Sequence, residues 1–229
     1  MTLLRDLVPG YRAILGLAGG VCSGKSTCRA WLARQGAAAV DCDRLGHACY
    51  APGGPAYAAV AALFPSAVDA PGGAIDRRRL GDLVFGDAAA RAALNAAVWP
   101  ALRALLLEEL ARLAAAAQPP PAGGLVGVVE AAILLEAGWG AAMDGVWLLD
   151  APREAALARM EARGLPRAAA EARWEAQPSA QARLAGPAGA SVSRVISSAA
   201  RAEETEQLYA AAWGDFLAGA PPLPSPATH

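Results

Sequence analysis

The apolar positions of the chain fall into two kinds of run. Short, nearly continuous ones occur at 13–18 (AILGLA), 37–40 (AAAV), 125–130 (LVGVVE) and 145–150 (GVWLLD), and a more polar one at 190–197 (ASVSRVIS). Runs of this length, bounded by glycine, proline or acids, read as strands, and the lack of polar alternation in LVGVVE and GVWLLD implies a sheet covered on both faces. Between them, apolar residues recur at three- and four-residue spacing. This predicts helices over 25–35, 56–63, 77–85, 88–98, 100–117 and 201–216, with arginine-rich helical segments over 153–186. The punctuation agrees: Gly36 stops the first helix, APGGPAY (51–57) makes a turn, Pro100 suits a first helical turn, and breaks fall at 164–166 and Pro178. QPPPAGG (118–124) predicts a flexible loop, and 217–229 a disordered tail. Strands alternating with helices predict an α/β fold, a five-stranded parallel sheet flanked by helices.

Composition narrows the classes. At 229 residues, 55% of them hydrophobic, the chain suffices for one domain with a sizeable core, and its alanine runs favour helix. A net charge of −1 gives no bulk electrostatic case for nucleic acid or an anionic membrane. No apolar run approaches the roughly 20 residues of a membrane span, and the first residues lack a signal-peptide pattern. Cys22, Cys28, Cys42 and Cys49 form no C-x-x-C pair, and the two histidines lie outside ligand spacing, so no zinc site is expected. A reduced compartment, cytoplasmic or organellar, is the expectation.

Lys25 is the only lysine among 20 basic side chains. It lies in GGVCSGKS (19–26), which fits G-x-x-x-x-G-K-[ST] between the first strand and the first helix. In such a loop the glycines turn several amides toward one anion and the following helix adds its dipole. Residues Gly19, Gly20, Val21, Cys22, Ser23, Gly24, Lys25, Ser26 and Thr27 are therefore the candidate ATP-phosphate cradle. Lys25 reaches the β- and γ-phosphates, and Ser26 offers its hydroxyl to Mg²⁺. A compact ammonium enters a crowded cradle that a planar guanidinium does not fit. A guanine-specific N-K-x-D segment would need a second lysine, so a small kinase fits best. DCD (41–43) ends the second strand, beside the first loop of a doubly wound sheet. There a carboxylate can take the proton of an acceptor hydroxyl; of the two, Asp43 faces the site if the strand ends between them. Cys22, beside exposed amides at a helix start, is either a loop-filling small residue or a thiol whose oxidation blocks ligand binding.

GLAGGVCSGKST, VDCDRLGH, YAPGGPAY, IDRRRLGDLVF, LNAAVWP, LLEAGW and RWEAQ follow one another as in dephospho-CoA kinases, which the chain resembles from Ile14 to about Trp213. The flavour is closest to the kinase half of animal-type bifunctional CoA synthase. The resemblance implies Mg·ATP-dependent phosphorylation of the ribose 3′-hydroxyl of dephospho-CoA, giving CoA and ADP. It implies a P-loop kinase of one domain, 1–216, with a core (13–50, 124–158, 190–216), a helical CoA-binding region (52–115) and a lid (159–186). Asp43 matches the acid that engages the acceptor, and Arg77 and Arg78 are available for acceptor phosphates. Arg159 and Arg163 match the lid arginines, and Arg173 and Gln177 the R-x-x-x-Q that follows. Spaced four apart, Arg159 and Arg163 would share a helix face.

Three positions depart from the family. Trp99 stands in a His-Pro position of the acceptor region, where it stacks on the acceptor or fills core. Glu130 replaces an aspartate at the end of the third strand and would hold Mg²⁺ through water. Ser198 stands nearest the asparagine close to the adenine. Two other readings remain, a kinase for another small metabolite on the same scaffold and a nucleotide-binding module that has lost catalysis.

Overall fold

The computed structural model describes residues 2–70, 72–117, 124–198 and 202–220. Residues 118–123, of the expected loop, and 221–229, of the expected tail, lie outside the described residues. Five strands, β1 (Tyr11–Gly19), β2 (Ala38–Asp41), β3 (Leu125–Glu130), β4 (Gly145–Asp150) and β5 (Val192–Ser197), form one parallel sheet in the order β2-β3-β1-β4-β5. β1 is central, running parallel to β3 on one side and β4 on the other. The chain leaves β1 toward β2 and leaves β3 toward β4, so the carboxyl ends of β1 and β3 border a point where connections diverge. Ligands of doubly wound sheets bind at such points. Register places Glu130 opposite Leu17, two residues before the end of β1.

The helices are α1 (Leu4–Leu7), α2 (Lys25–Arg34), α3 (Cys42–Cys49), α4 (Tyr57–Leu63), α5 (Arg77–Val84), α6 (Ala88–Ala116), α7 (Arg153–Glu161), α8 (Arg167–Glu175), α9 (Ala180–Ala185) and α10 (Ala202–Gly219). The chain divides into two compact units, one of residues 1–40 and 110–229, the other of 41–109.

Several expectations change. The helices expected over 88–98 and 100–117 are one 29-residue helix with Pro100 inside it. Proline removes one backbone donor, and the alanine- and leucine-rich flanks have the propensity to carry the helix through. The expected tail from 217 is shortened, because α10 continues to Gly219. β2 ends at Asp41, between the two acids, and Asp43 sits in the first turn of α3 rather than on the strand. The Asp41 carboxylate caps that helix, accepting from the Arg44 amide at 3.0 Å. Carboxylates are favoured at such a helix start, where amides lack partners.

In the first unit α2 and α10 pack side by side on one face of the sheet, where Trp31 meets Tyr209 at 5.8 Å. Leu15, Leu17, Cys28, Trp31, Leu32, Val128, Trp147, Leu149, Ile196 and Tyr209 make one buried cluster. Trp147 is 1% exposed and meets the edges of Trp213 and Phe216, both on α10, at 6.5 Å. The helices α7 and α8 form a hairpin around Leu157, Met160 and Ala170. Outside, Arg167 bridges it, pairing with Glu154 at 2.8 Å, Glu171 at 3.1 Å and Glu161 at 3.4 Å.

In the second unit, Leu80 and Val60 are buried, and Asp76 caps α5 by accepting from the Arg78 and Arg79 amides at 2.8 and 3.1 Å.

Candidate active site

The loop leaving β1 is shaped by contacts a side chain would not permit. Gly19 has φ +147, and a Cβ there would lie 2.2 Å from the Leu149 carbonyl oxygen of β4. Gly24, φ +94, is the N-cap of α2 and provides it no side-chain cap. As at α1, α4, α7 and α8, no side chain caps the start of α2, so its first-turn amides are open to an external anion, and here they follow the glycine-rich loop. Cys22 is the one non-glycine residue with positive φ (+55) among the described residues, so the turn stores strain at the centre of the loop.

Lys25 Nζ donates to the carbonyl oxygens of Gly19 at 2.9 Å and Gly20 at 2.8 Å, folded back over the start of the loop. Ser26 and Thr27 are exposed at the start of α2. Ser23 is 2% exposed, and its Oγ has no hydrogen-bond partner. A buried hydroxyl without a partner is costly, and a phosphate oxygen or the water around one would complete it. These features fit a nucleotide polyphosphate.

Glu130, at the end of β3, is 6% exposed and accepts from Arg29 Nε at 2.5 Å. Arg29 lies on α2, one turn beyond Lys25. Sequence reasoning picked out Glu130 but not Arg29. The signal was available, since a carboxylate at a buried strand end needs a cation and Arg29 is four residues from Lys25. Glu130 and, above all, burial push the Cys28 thiol up, so it stays protonated.

The hairpin α7–α8 is joined to the loop. Arg159 on α7 donates to the Cys22 carbonyl at 2.9 Å, to Ser198 Oγ at 2.8 Å and to the Ser198 carbonyl at 2.7 Å. It therefore ties the strained residue of the loop to the segment after β5. Arg163 does not share a helix face with it. α7 ends at Glu161, the chain reverses through Gly164 (φ +88), and Arg163 is exposed in that turn. Arg173 is exposed on α8. Gln177, just beyond α8, accepts from the Val21 amide through Oε1 at 2.8 Å. The Val21 and Cys22 side chains pack against the hairpin's apolar cluster. The Cys22 thiol is thus a packing group, and the redox reading gains nothing from its surroundings. A cavity of about 560 Å³ runs from Gly20 and Ser23 past Asp150 to Trp174, Gln177 and Arg183. At its far side Arg183, with a side chain only 8% exposed, pairs with Glu136 at 3.0 Å and fixes α9 to the turn after β3.

The second unit carries the other sequence-derived candidates. Asp43, Arg77 and Arg78 are exposed, and Trp99 is half-buried on α6. His47, one turn beyond Asp43 on α3, meets the Tyr50 ring edge-on at 6.0 Å. Burial and the charge of Arg77 hold the His47 pKa below its usual value, against the opposing pull of Asp43 and Asp41. Sequence reasoning gave His47 no part.

A central phosphate loop on a five-stranded parallel sheet defines a P-loop kinase fold. A family model described as dephospho-CoA kinase matches residues 13–190. The Geobacter sulfurreducens dephospho-CoA kinase is 40% identical over 150 residues, covering 66% of this chain and 73% of that protein. Its Geobacter metallireducens counterpart is 37% identical over 209 residues, covering 89% and 96%. The crystal structure of TT1252 from Thermus thermophilus superposes with TM-score 0.69 at 31% identity, over 90% of this chain and 98% of that one. The chain belongs to the dephospho-CoA kinase family, whose members are ATP-dependent kinases. These relatives are bacterial, and they lend no support to the expected likeness to animal bifunctional synthases. Among the described residues no helix is long and apolar enough to cross a membrane.

Proposed function

We propose that this chain transfers the γ-phosphoryl group of Mg·ATP to the ribose 3′-hydroxyl of dephospho-CoA, releasing CoA and ADP. The observation that carries the reading is the preformed phosphate cradle, with Lys25 at its β1 end, the uncapped start of α2 and the unsatisfied Ser23 hydroxyl, in a chain of this family.

The residues then divide the work. Amides of 19–27, apart from that of Val21, which Gln177 occupies, and the start of α2 bind the phosphates, and Lys25 turns from its carbonyl partners to the β- and γ-oxygens. Ser26, and Glu130 through water, would hold Mg²⁺, which neutralises phosphate charge as it shifts to the leaving group. Arg29 pairs with the longer Glu130 carboxylate and aims it. Asp43 accepts the proton of the attacking hydroxyl. Arg77 and Arg78 bind acceptor phosphates, and Trp99 flanks the acceptor. Arg163 supplies charge to the transferred group from the lid. Arg159 supports the loop's shape through Cys22 and Ser198, a positioning role in place of the expected catalytic one.

The test is an acceptor comparison. ADP formation in the presence of Mg²⁺ and ATP is expected with dephospho-CoA and absent with its 3′-deoxy analogue. Equal ADP formation from both, or turnover only with an unrelated alcohol, would overturn the assignment.

A further inference from the structure

Gln177, just beyond α8, bonds the phosphate loop itself. Its Oε1 accepts from the Val21 amide at 2.8 Å. That bond fixes which end of the carboxamide is oxygen, so Nε2, a double donor, is turned away from Val21. The carboxamide also lies against Gly20, where an added Cβ would come within 3.0 Å of both Nε2 and Oε1. Gly20 is one of the two residues whose carbonyls hold Lys25 Nζ. In a phosphate loop the lysine marks the β/γ end of the polyphosphate, while the helix amides take the α/β end. Gln177 and Lys25 therefore converge on the same end of the loop. Gln177 also lines the cavity that opens beside Gly20 and Ser23.

We propose that Gln177 is a γ-phosphate-binding residue, anchored through Oε1 on the Val21 amide and donating from Nε2 to the terminal phosphate. It sits between α8 and α9, so this contact makes docking of that segment report whether a γ-phosphate is present. The proposal rests on nucleotide binding by the loop, as inferred above.

The experiment is calorimetric titration of the full chain with Mg·ATP and with Mg·ADP, for wild type, Gln177→Ala and Gln177→Glu, each checked for an unchanged melting transition. Gln177→Ala is expected to weaken ATP about tenfold while leaving ADP within about twofold. Gln177→Glu retains an acceptor for Val21 but loses the donor, and is expected to weaken ATP at least as much. Equal losses for ATP and ADP would overturn the proposal and reduce Gln177 to a brace of the loop. Tighter ATP binding by Gln177→Ala would overturn it in favour of a side chain that competes with the phosphate. A wild-type chain that binds neither nucleotide would overturn the kinase reading, and this one with it.

Discussion

Lys25 is held by two backbone carbonyls, and those bonds are exchangeable for phosphate oxygens of greater charge. Lys25→Ala should cut turnover about a hundredfold or more, with weakened Mg·ATP binding in the same calorimetric assay. Asp43→Asn should separate the two functions, leaving ATP affinity near wild type while turnover falls about a hundredfold. A kcat within a few-fold of wild type would remove Asp43 as the base. Arg29 makes a third case. Arg29→Met removes the ion pair to buried Glu130 and should cost about 3 kcal/mol in urea unfolding. Adding Glu130→Gln should restore part of that loss, because the neutral amide is less costly to bury beside the introduced apolar chain than a carboxylate. Full additivity of the two would show that the pair is not coupled. The Glu130 departure was visible in the sequence, but its consequence was not, since the compensating cation sits 101 positions away.

At the scale of elements, α3 shows what sequence patterning missed. DCD was read as a strand end, with the strand allowed to end between its acids; it does, and what was not read is that a helix starts there and gives the two acids different fates. Asp41 is consumed as a helix cap, and Asp43 stands on the helix with His47 one turn on. Strand alternation could not reveal this, because the change of period falls between the two acids. The predicted shared face of Arg159 and Arg163 failed for a similar reason. The segment has helical spacing, but Gly164 reverses the chain before Arg163 can complete the turn.

His47 also gives unit 41–109 a pH dependence. Its folded pKa is lowered, chiefly by burial and then by Arg77, so its contribution to stability is present above the unfolded value and lost as pH falls through the folded one. Melting temperature should therefore drop as pH is lowered below about 6.5. His47→Gln should flatten that part of the profile. An unchanged profile would assign the acid sensitivity elsewhere.

Over the whole molecule, the five strands and their alternation with helices were legible because each strand is a compact apolar run between turn residues. The strand order was not, since parallel crossovers leave no local signature; it is set by which apolar faces pack. Trp147 is at the centre of that packing, buried between β4 and the rings of α10. Trp147→Ala should destabilise the fold by about 3–5 kcal/mol in denaturant unfolding, whereas truncation of exposed Phe85 should change it little. The phosphate cradle was legible in nine consecutive residues. Arg159, Gln177 and Ser198 were singled out only through the family resemblance, and their contacts in support of the loop were not legible, because they reach it from the far end of the chain.

The most direct measurement is mass spectrometry, with phosphorus NMR, of dephospho-CoA incubated with the purified chain, ATP and Mg²⁺, beside an EDTA control. A metal-dependent gain of one phosphate on the ribose 3′-oxygen, absent in Lys25→Ala, is the expected result. Unmodified dephospho-CoA from a chain that binds Mg·ATP would contradict the assignment of this reaction.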